Sequence, residues 1–464
     1  MSEVVIDMVL PDRFRARALW ALAALLGGLI PAGMAVADDG HSAESLGAPG
    51  TVERVSVDSD ELQLAAASSV PYVRPTSSAH GRFVVFQTYE AVAQSDVNNE
   101  QDVYVRDRVL GTTRLVSGAG GQARSGGGAS ISADGRYVAF VSDSPALAQD
   151  DNNGAHFDVF VRDMQTREVT LVSKATDGTQ RALDVFSSPV ISGDGSRVAF
   201  LTSARLSPAD DDTAPADQWF NRLDAYVHNL ANGTTRLVSV NARGANFTGP
   251  VGLGGMSYDG QLVGFSWGNS GRHKLDVPAG FYVRNMSLPG SKLIWREDLN
   301  LISNELDGAP ALSGTGRYAA FTSKSPRLDA DPDYNKYDVA RYDRKTGRLL
   351  LVSAGVNSDA NGDSWAATLS YSGSYLSFAS EATNLVPGDD NDATDAFRFD
   401  VLARQITLVS ATPYGEPGSA DSALGGAVAI SGDGEHVSFI SFANDLVPAD
   451  TNRKGDVFLW TALD

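Results

Sequence analysis

The sequence predicts an all-β protein, a seven-bladed β-propeller of four-stranded antiparallel blades, and three observations carry that expectation. One turn-and-strand motif recurs seven times. The last repeat lacks its fourth strand, and a segment with the fourth-strand signature stands ahead of the first repeat. The motif runs HGRFVVF, DGRYVAF, DGSRVAF, DGQLVGF, TGRYAAF, SGSYLSF and DGEHVSF, closing at Phe86, Phe140, Phe200, Phe265, Phe321, Phe378 and Phe439. A fixed core repeated every 54 to 65 residues, with loops of varying length, is the pattern of a propeller or repeat array.

Each repeat parses into four strands. A short inner strand ends in Ile-Ser or Leu-Ser (Ile131-Ser132, Ile191-Ser192, Leu312-Ser313, Ile430-Ser431), and an Asp-Gly or Thr-Gly pair then makes a tight hairpin turn. The second strand is the VAF segment. The third reads DVYVRD, DVFVRD, DAYVHN, DVARYD, DAFRFD or DVFLW, and the fourth TRLVS, VTLVS, LLLVS or ITLVS, rich in residues that suit a pleated surface. Both faces of these strands are apolar, as stacking each sheet between two neighbours requires.

The seventh repeat ends four residues after DVFLW. Thr51-Val52-Glu53-Arg54-Val55-Ser56 has the missing fourth-strand pattern, so this N-terminal strand is expected to complete the last blade and close the ring without a free sheet edge. Residues 51–464 are then the propeller and 38–50 a linker. Residues 1–37 read as a secretory signal peptide. Arg13, Arg15 and Arg17 precede an apolar run from Ala18 to Ile30, followed by Ala35-Val36-Ala37 as a cleavage site. The run is too short for a membrane span, which needs about 20 residues. With no cysteine, disulfides, Cys-ligated metals and an N-terminal lipid anchor are excluded. The net charge of −20 argues against a nucleic-acid partner.

The loops between second and third strands carry the acidity. Five share a D-x-[ND] register with a further Asp opening strand three: Asp96, Asn98, Asp102; Asp151, Asn153, Asp158; Asp331, Asp333, Asp338; Asp389, Asn391, Asp395; and Asp450, Asn452, Asp456. Blade three offers Asp210, Asp211, Asp212 and Asp224, whereas blade four has no such loop. Alternate Asp and Asn oxygens topped up by carbonyls can satisfy Ca²⁺, so these residues are candidate ligands of a structural calcium ion. Asp and Asn also initiate turns by bonding their own backbone, which is the plainer reading.

Catalytic signatures are missing. No Gly-x-Ser-x-Gly elbow is present, and the histidines His41, His80, His156, His228, His273 and His436 sit in different repeats at non-equivalent positions. Blade four departs most from the pattern, bringing Trp267, His273, Lys274 and Trp295 into one repeat. Trp219 and Phe220 stand in an insertion of blade three, and Trp365 just before an inner strand. Rim aromatics can anchor a sugar or a protein, so Trp219, Phe220, Trp267, His273 and Trp365 are candidate ligand-binding residues; packing between blades is the competing role.

The strings SADGRYVAF at Ser132–Phe140, NLVPGD at Asn384–Asp389 and DVFVRD at Asp158–Asp163 resemble the TolB-type, WD-like propeller repeats of bacterial envelope proteins, over roughly residues 52–464. TolB itself differs in having six blades and a separate N-terminal domain. The resemblance implies a propeller and says little of its activity. The functional expectation is an exported, monomeric, non-enzymatic propeller, periplasmic or secreted, without a membrane span. It would bind a protein or a cell-envelope polysaccharide through its acidic rim, stabilised by Ca²⁺. The alternative is a carbohydrate-active lyase or hydrolase working in the central funnel.

Overall fold

The computed structural model describes residues 50–69, 76–181, 185, 187–210, 223–247, 251–268, 279–296, 309–324, 328, 336–355 and 358–463. The proposed signal peptide therefore lies outside the described residues.

Seven four-stranded antiparallel sheets follow one another along the chain. Blade one comprises Ser68–Ser69, Phe83–Thr88, Asp102–Asp107 and Thr112–Leu115; blade two Gly127–Ile131, Tyr137–Ser142, Asp158–Asp163 and Val169–Leu171; blade three Val190–Ile191, Arg197–Thr202, Asp224–Asn229 and Thr234–Leu237. Blade four comprises Val251–Met256, Leu262–Trp267, Gly280–Asn285 and Ser291–Arg296; blade five Ala311–Leu312, Tyr318–Ser323, Asp338–Asp343 and Leu349–Leu351; blade six Ser364–Leu369, Tyr375–Ser380, Asp395–Asp400 and Gln405–Leu408. Blade seven has Val428–Ile430, His436–Ser441 and Asp456–Ala462, and Gly50–Arg54 is its fourth strand, in register from Gly50 opposite Ala462 to Arg54 opposite Phe458. The expected closure by the N-terminal strand is the observed one.

The repeated letters have physical roles. The closing Phe of each motif stands opposite the third residue of strand three, and where that residue is aromatic the rings meet across the strands at 5.4–6.1 Å: Phe86 with Tyr104, Phe200 with Tyr226, Phe265 with Tyr282, Phe378 with Phe397 and Phe439 with Phe458 stacked, and Phe140 with Phe160 tilted. Blade five, with Ala340 there, instead sets Phe321 against Phe281 of blade four at 4.9 Å. The Ser that ends each inner strand accepts, at its Oγ, the first N–H of strand two, as in Tyr137 to Ser132 and Tyr375 to Ser370. In blades one, two and five the Arg after the turn forms a two-pronged ion pair with the last Asp of strand three: Arg82 with Asp107, Arg136 with Asp163 and Arg317 with Asp343. These pairs are half exposed and contribute little individually.

The hairpin turns also bond to one another around the axis. Ala79 N–H donates to Ala133 O, Ala133 to Gly193, Asp194 to Tyr258, Tyr258 to Gly314, Thr315 to Tyr371, Tyr371 to Gly432, and Asp433 back to Ala79. Every joint of the ring is thereby tied by backbone. Five residues at these turns are Ala or Gly; the other two are Tyr258 and Tyr371, whose half-exposed rings meet edge to face at 5.4 Å. A Cβ at Gly193 or Gly314 would strike those rings, so each tyrosine lies over the turn of the preceding blade.

Closure through Gly50–Arg54 yields a test. A chain starting at Val57 should lose cooperative unfolding and melt well below the full propeller, and a permutant carrying residues 50–57 after Asp464 should recover it. An unchanged thermal melt on truncation would show that blade seven does not need the strand.

Candidate functional site

Strand order sends the loops between strands two and three to the face opposite the turn ring, beside the loops that enter each next blade. The Asp that opens strand three is buried in six blades and is held by the Ser of the LVS segment. Ser117 donates to Asp102, Ser173 to Asp158, Ser239 to Asp224, Ser353 to Asp338, Ser410 to Asp395 and Ser56 to Asp456, the last three at 2.6–2.9 Å. The same hydroxyl accepts the next residue's backbone N–H, as in Ala396 to Ser410 at 3.0 Å and Val457 to Ser56 at 3.0 Å. Blade four has Gly280 in place of the Asp, and no such clasp. The strand-three Asp thus has a fastening role that its place in an acidic loop did not reveal.

Its second carboxylate oxygen faces the loop. In blade six Asn391 donates through Nδ2 to Asp395 at 3.0 Å and to Gly418 O at 2.9 Å, while its Oδ1 accepts the Ala393 N–H. Asn153 in blade two bonds Asp158 and Arg181 O, and Asn452 in blade seven bonds Asp456 and Leu64 O. The Asn of D-x-[ND] therefore presents nitrogen to the carboxylate and ties the loop to the segment entering the next blade. In blade one Asn98 Oδ1 takes the Glu100 N–H, and Tyr104 donates its hydroxyl to Asp96. Tyr226 does the same for Asp210, and Gln180 reaches Asp151 at 3.3 Å. Asp331, Asp333, Asp211 and Asp212 lie outside the described residues. No group of three or more His, Asp or Glu is set to hold a metal among the described residues.

Blades six and seven treat the same pair of carboxylates differently. In blade seven, Arg54 from the closing strand reaches Asp450 at 3.0 Å and Asp456 at 3.5 Å, and Gln63 donates to both at 2.9 and 3.0 Å. The guanidinium is held by charge more than by aligned hydrogen bonds, since two of its nitrogens point off the bonding direction. In blade six the charge of Asp389 acts on Asp395, and no Arg or Lys pairs with either among the described residues. Asp389 is 6% exposed and its carboxylate has no hydrogen bond among the described residues. Burial raises Asp389 to about 6, and burial followed by the charge of Asp389 raises Asp395 to about 7. Burial likewise raises Asp102 and Asp158 to about 6. The Oδ2 of Asp102 is buried without a partner.

Two of the aromatic candidates occupy interior positions. Trp267 is 1% exposed and packs on Phe247 at 5.0 Å, which leaves no ring face for a ligand; the packing role prevails. Trp365 belongs to the first strand of blade six, where it was expected just before one, and packs partly buried between blades six and seven. Trp219, Phe220 and His273 lie outside the described residues. Ring closure also gathers two histidines that sequence separates by several hundred residues. His80 contacts Asp433 at 3.1 Å and His436 approaches the other oxygen at 3.6 Å.

Arg54 is expected to be indispensable where it stands. Arg54→Leu should destabilise the protein by about 3–5 kcal/mol in denaturant titration, because Asp450 and Asp456 would remain buried without a counter-charge. Indifference to the substitution would mean that Gln63 and Asn452 suffice.

No family model and no curated protein sequence matches the chain. Solved structures do. An oligogalacturonate lyase in complex with manganese aligns at 12% identity over 91% of this chain and 96% of its own, with a TM-score of 0.54. The β-propeller domain of the Trilobed protease from Pyrococcus furiosus aligns at 11% identity over 85% and 95%, with a TM-score of 0.50. A TolB homologue from Agrobacterium tumefaciens aligns at 14% over 64% and 83%, with a TM-score of 0.39, and adds no weight. At such identities the likeness speaks for the fold alone: the chain is a seven-bladed β-propeller, the fold that its seven repeats predicted.

Proposed function

We propose that this chain is an exported, non-enzymatic binding propeller that recognises a protein or a cell-envelope polymer through its acidic loop face, and that Ca²⁺ stabilises that face. The observation that carries the reading is the pair Asp389 and Asp395, buried together without the counter-charge that Arg54 supplies to Asp450 and Asp456. A hard cation would neutralise the blade-six pair, with Asp421 as a third nearby charge. Carbonyls and water would complete the shell, since Asn391 Oδ1 is engaged by Ala393. No described helix is long and apolar enough to cross a membrane, in keeping with a periplasmic or secreted protein.

A second reading, a carbohydrate-active lyase or hydrolase, draws on one observation: His80, Asp433 and His436 form a cluster of titratable groups beside the turn ring. Its test is release of unsaturated product from oligogalacturonate, abolished by His436→Ala. Absence of turnover by the unaltered protein removes this reading.

The binding reading is tested by immobilising residues 38–464 and challenging them with host envelope extract, with Ca²⁺ and with chelator. Retention of a defined partner that depends on Asp389 supports it, and no retention under either condition counts against it. The ion is tested separately by melting. Both carboxyls have folded pKa values above the ordinary value of about 4, so the folded state takes up protons over that interval. Their contribution to stability is present below about pH 4 and lost as pH rises through about 7. Ca²⁺ should therefore raise the melting temperature more at pH 8 than at pH 5. Asp389→Asn should raise it in chelator and abolish the response to Ca²⁺. Equal shifts for both proteins would place the ion elsewhere.

A further inference from the structure

The outer wall between blades one and two combines a cleft with an arginine cluster that no acid neutralises. The cleft, of about 340 Å³, is lined by Arg114 of the blade-one outer strand, Arg162 of the blade-two third strand and Arg167 of the blade-two turn. Arg162 gives one N–H to Gly118 O; Arg114 and Arg167 have no ion pair or hydrogen bond from their side chains among the described residues. Burial, reinforced by the charges of Arg167 and Arg114, holds the Arg162 guanidinium below its ordinary pKa, with no carboxylate opposing. Three uncompensated cations in one cleft are unusual in a chain with a net charge of −20.

The repeat shows what is missing. The corresponding third-strand residue in blade one is Arg106, which pairs with Glu61 in the loop that enters its blade. In blade two that loop is the ribbon of Gly118–Ala119 and Gln122–Ala123, and its turn, Gly120-Gly121, offers no side chain. A Cβ at either glycine would meet nothing within 4 Å, so the place of the acid is open space. Three residues before the LVS serine, where Arg114 stands, the closing strand of blade seven has Glu53, and Glu53 pairs with Arg108. Blade two thus meets an arginine where blade one meets an acid.

The same exchange recurs between blades three and four. There Arg236 faces Arg284, which is 4% exposed and has two nitrogens without hydrogen-bond partners, and Gly244 replaces Glu61 in the loop. Arg284 is buried and Arg162 partly buried, each without a paired acid among the described residues, and a bound oxyanion would offset that desolvation at either joint.

We propose that the cleft between the outer strands of blades one and two is an oxyanion site, in which Arg114, Arg162 and Arg167 bind one carboxylate, sulfate or phosphate group of a ligand. Paired guanidiniums suit the planar, two-oxygen edge of such a group. This site lies on the outer wall, bordered by Ala93 and Ser95 of the blade-one loop, and does not depend on the blade-six pair binding calcium.

The test is calorimetric titration of residues 38–464, at constant ionic strength in chloride, with inorganic sulfate, inorganic phosphate and a galacturonate oligomer. Saturable binding should weaken at least about tenfold in Arg162→Gln and stay unchanged in Arg404→Gln, whose arginine occupies the equivalent turn of blade six. Gln122→Glu, which sets a carboxylate in the cleft, should abolish binding and raise the melting temperature in chloride alone, a result that a merely structural arginine cluster would also have to survive without anion dependence. Binding of the oligomer beyond the inorganic ions identifies a polymer-borne group, and binding of the inorganic ions alone a free anion; both uphold the site. Equal affinity in Arg162→Gln and the unaltered protein, or no saturable binding of any probe, overturns it.

Discussion

Backbone hydrogen bonds run from hairpin turn to hairpin turn once around the axis and return to their start, and the rest of the structure depends on that closed circuit. Each bond fixes the distance between neighbouring blades at their inner edge, and the Asp433 to Ala79 bond joins the last repeat to the first. Because the donors and acceptors are main-chain atoms, the circuit tolerates variation in side chain, provided that bulk does not intrude. That is why five of the seven turns use Ala or Gly there, and why the two tyrosines fit where a neighbouring glycine leaves room. The turns are partly exposed, so each bond has a modest net value, and the circuit gains its weight from joining all seven blades.

The second fastening is the Ser to Asp clasp at the outer side of every blade but the fourth. One hydroxyl gives its proton to a buried carboxylate and takes an N–H from the following residue, so strands three and four are tied at the point where the chain leaves the blade. In blade seven the clasp joins Ser56 to Asp456 across nearly the whole chain. Burying six carboxylates this way has an electrostatic consequence. Each must be offset by hydrogen bonds, by an amide such as Asn153, by a guanidinium such as Arg54, or by a proton. At Asp389 with Asp395 no counter-charge is supplied among the described residues, Asp395 is pushed furthest up, and a cation has most to contribute there.

Much of this was legible in order of residues. The period of the GRYVAF motif and the lone TVERVS segment specified seven blades and their closure, because strand alternation and hairpin turns are local properties. The D-x-[ND] loops were legible as a recurring feature, yet their chemistry was not: a sequence cannot show that Asn391 turns nitrogen toward Asp395, or that Tyr104 occupies Asp96. Trp267 was a candidate for the surface because blade four is irregular, and only the packing of Phe247 against it reveals a core residue. The two arginine pairs were hidden because Arg114 and Arg162, or Arg236 and Arg284, belong to different repeats and match no motif.

The sequence by itself determined the blade count, the closing strand and the turn residues, since all of these repeat at fixed short spacing and answer to local backbone geometry. Only the tertiary structure decided which charges meet. Ring closure places Arg54 between Asp450 and Asp456, brings His80 and His436 to one carboxylate, and leaves Arg162 without the acid that Arg106 enjoys. Those meetings depend on distances between residues far apart in the chain, and such distances exist only once the seven blades have closed.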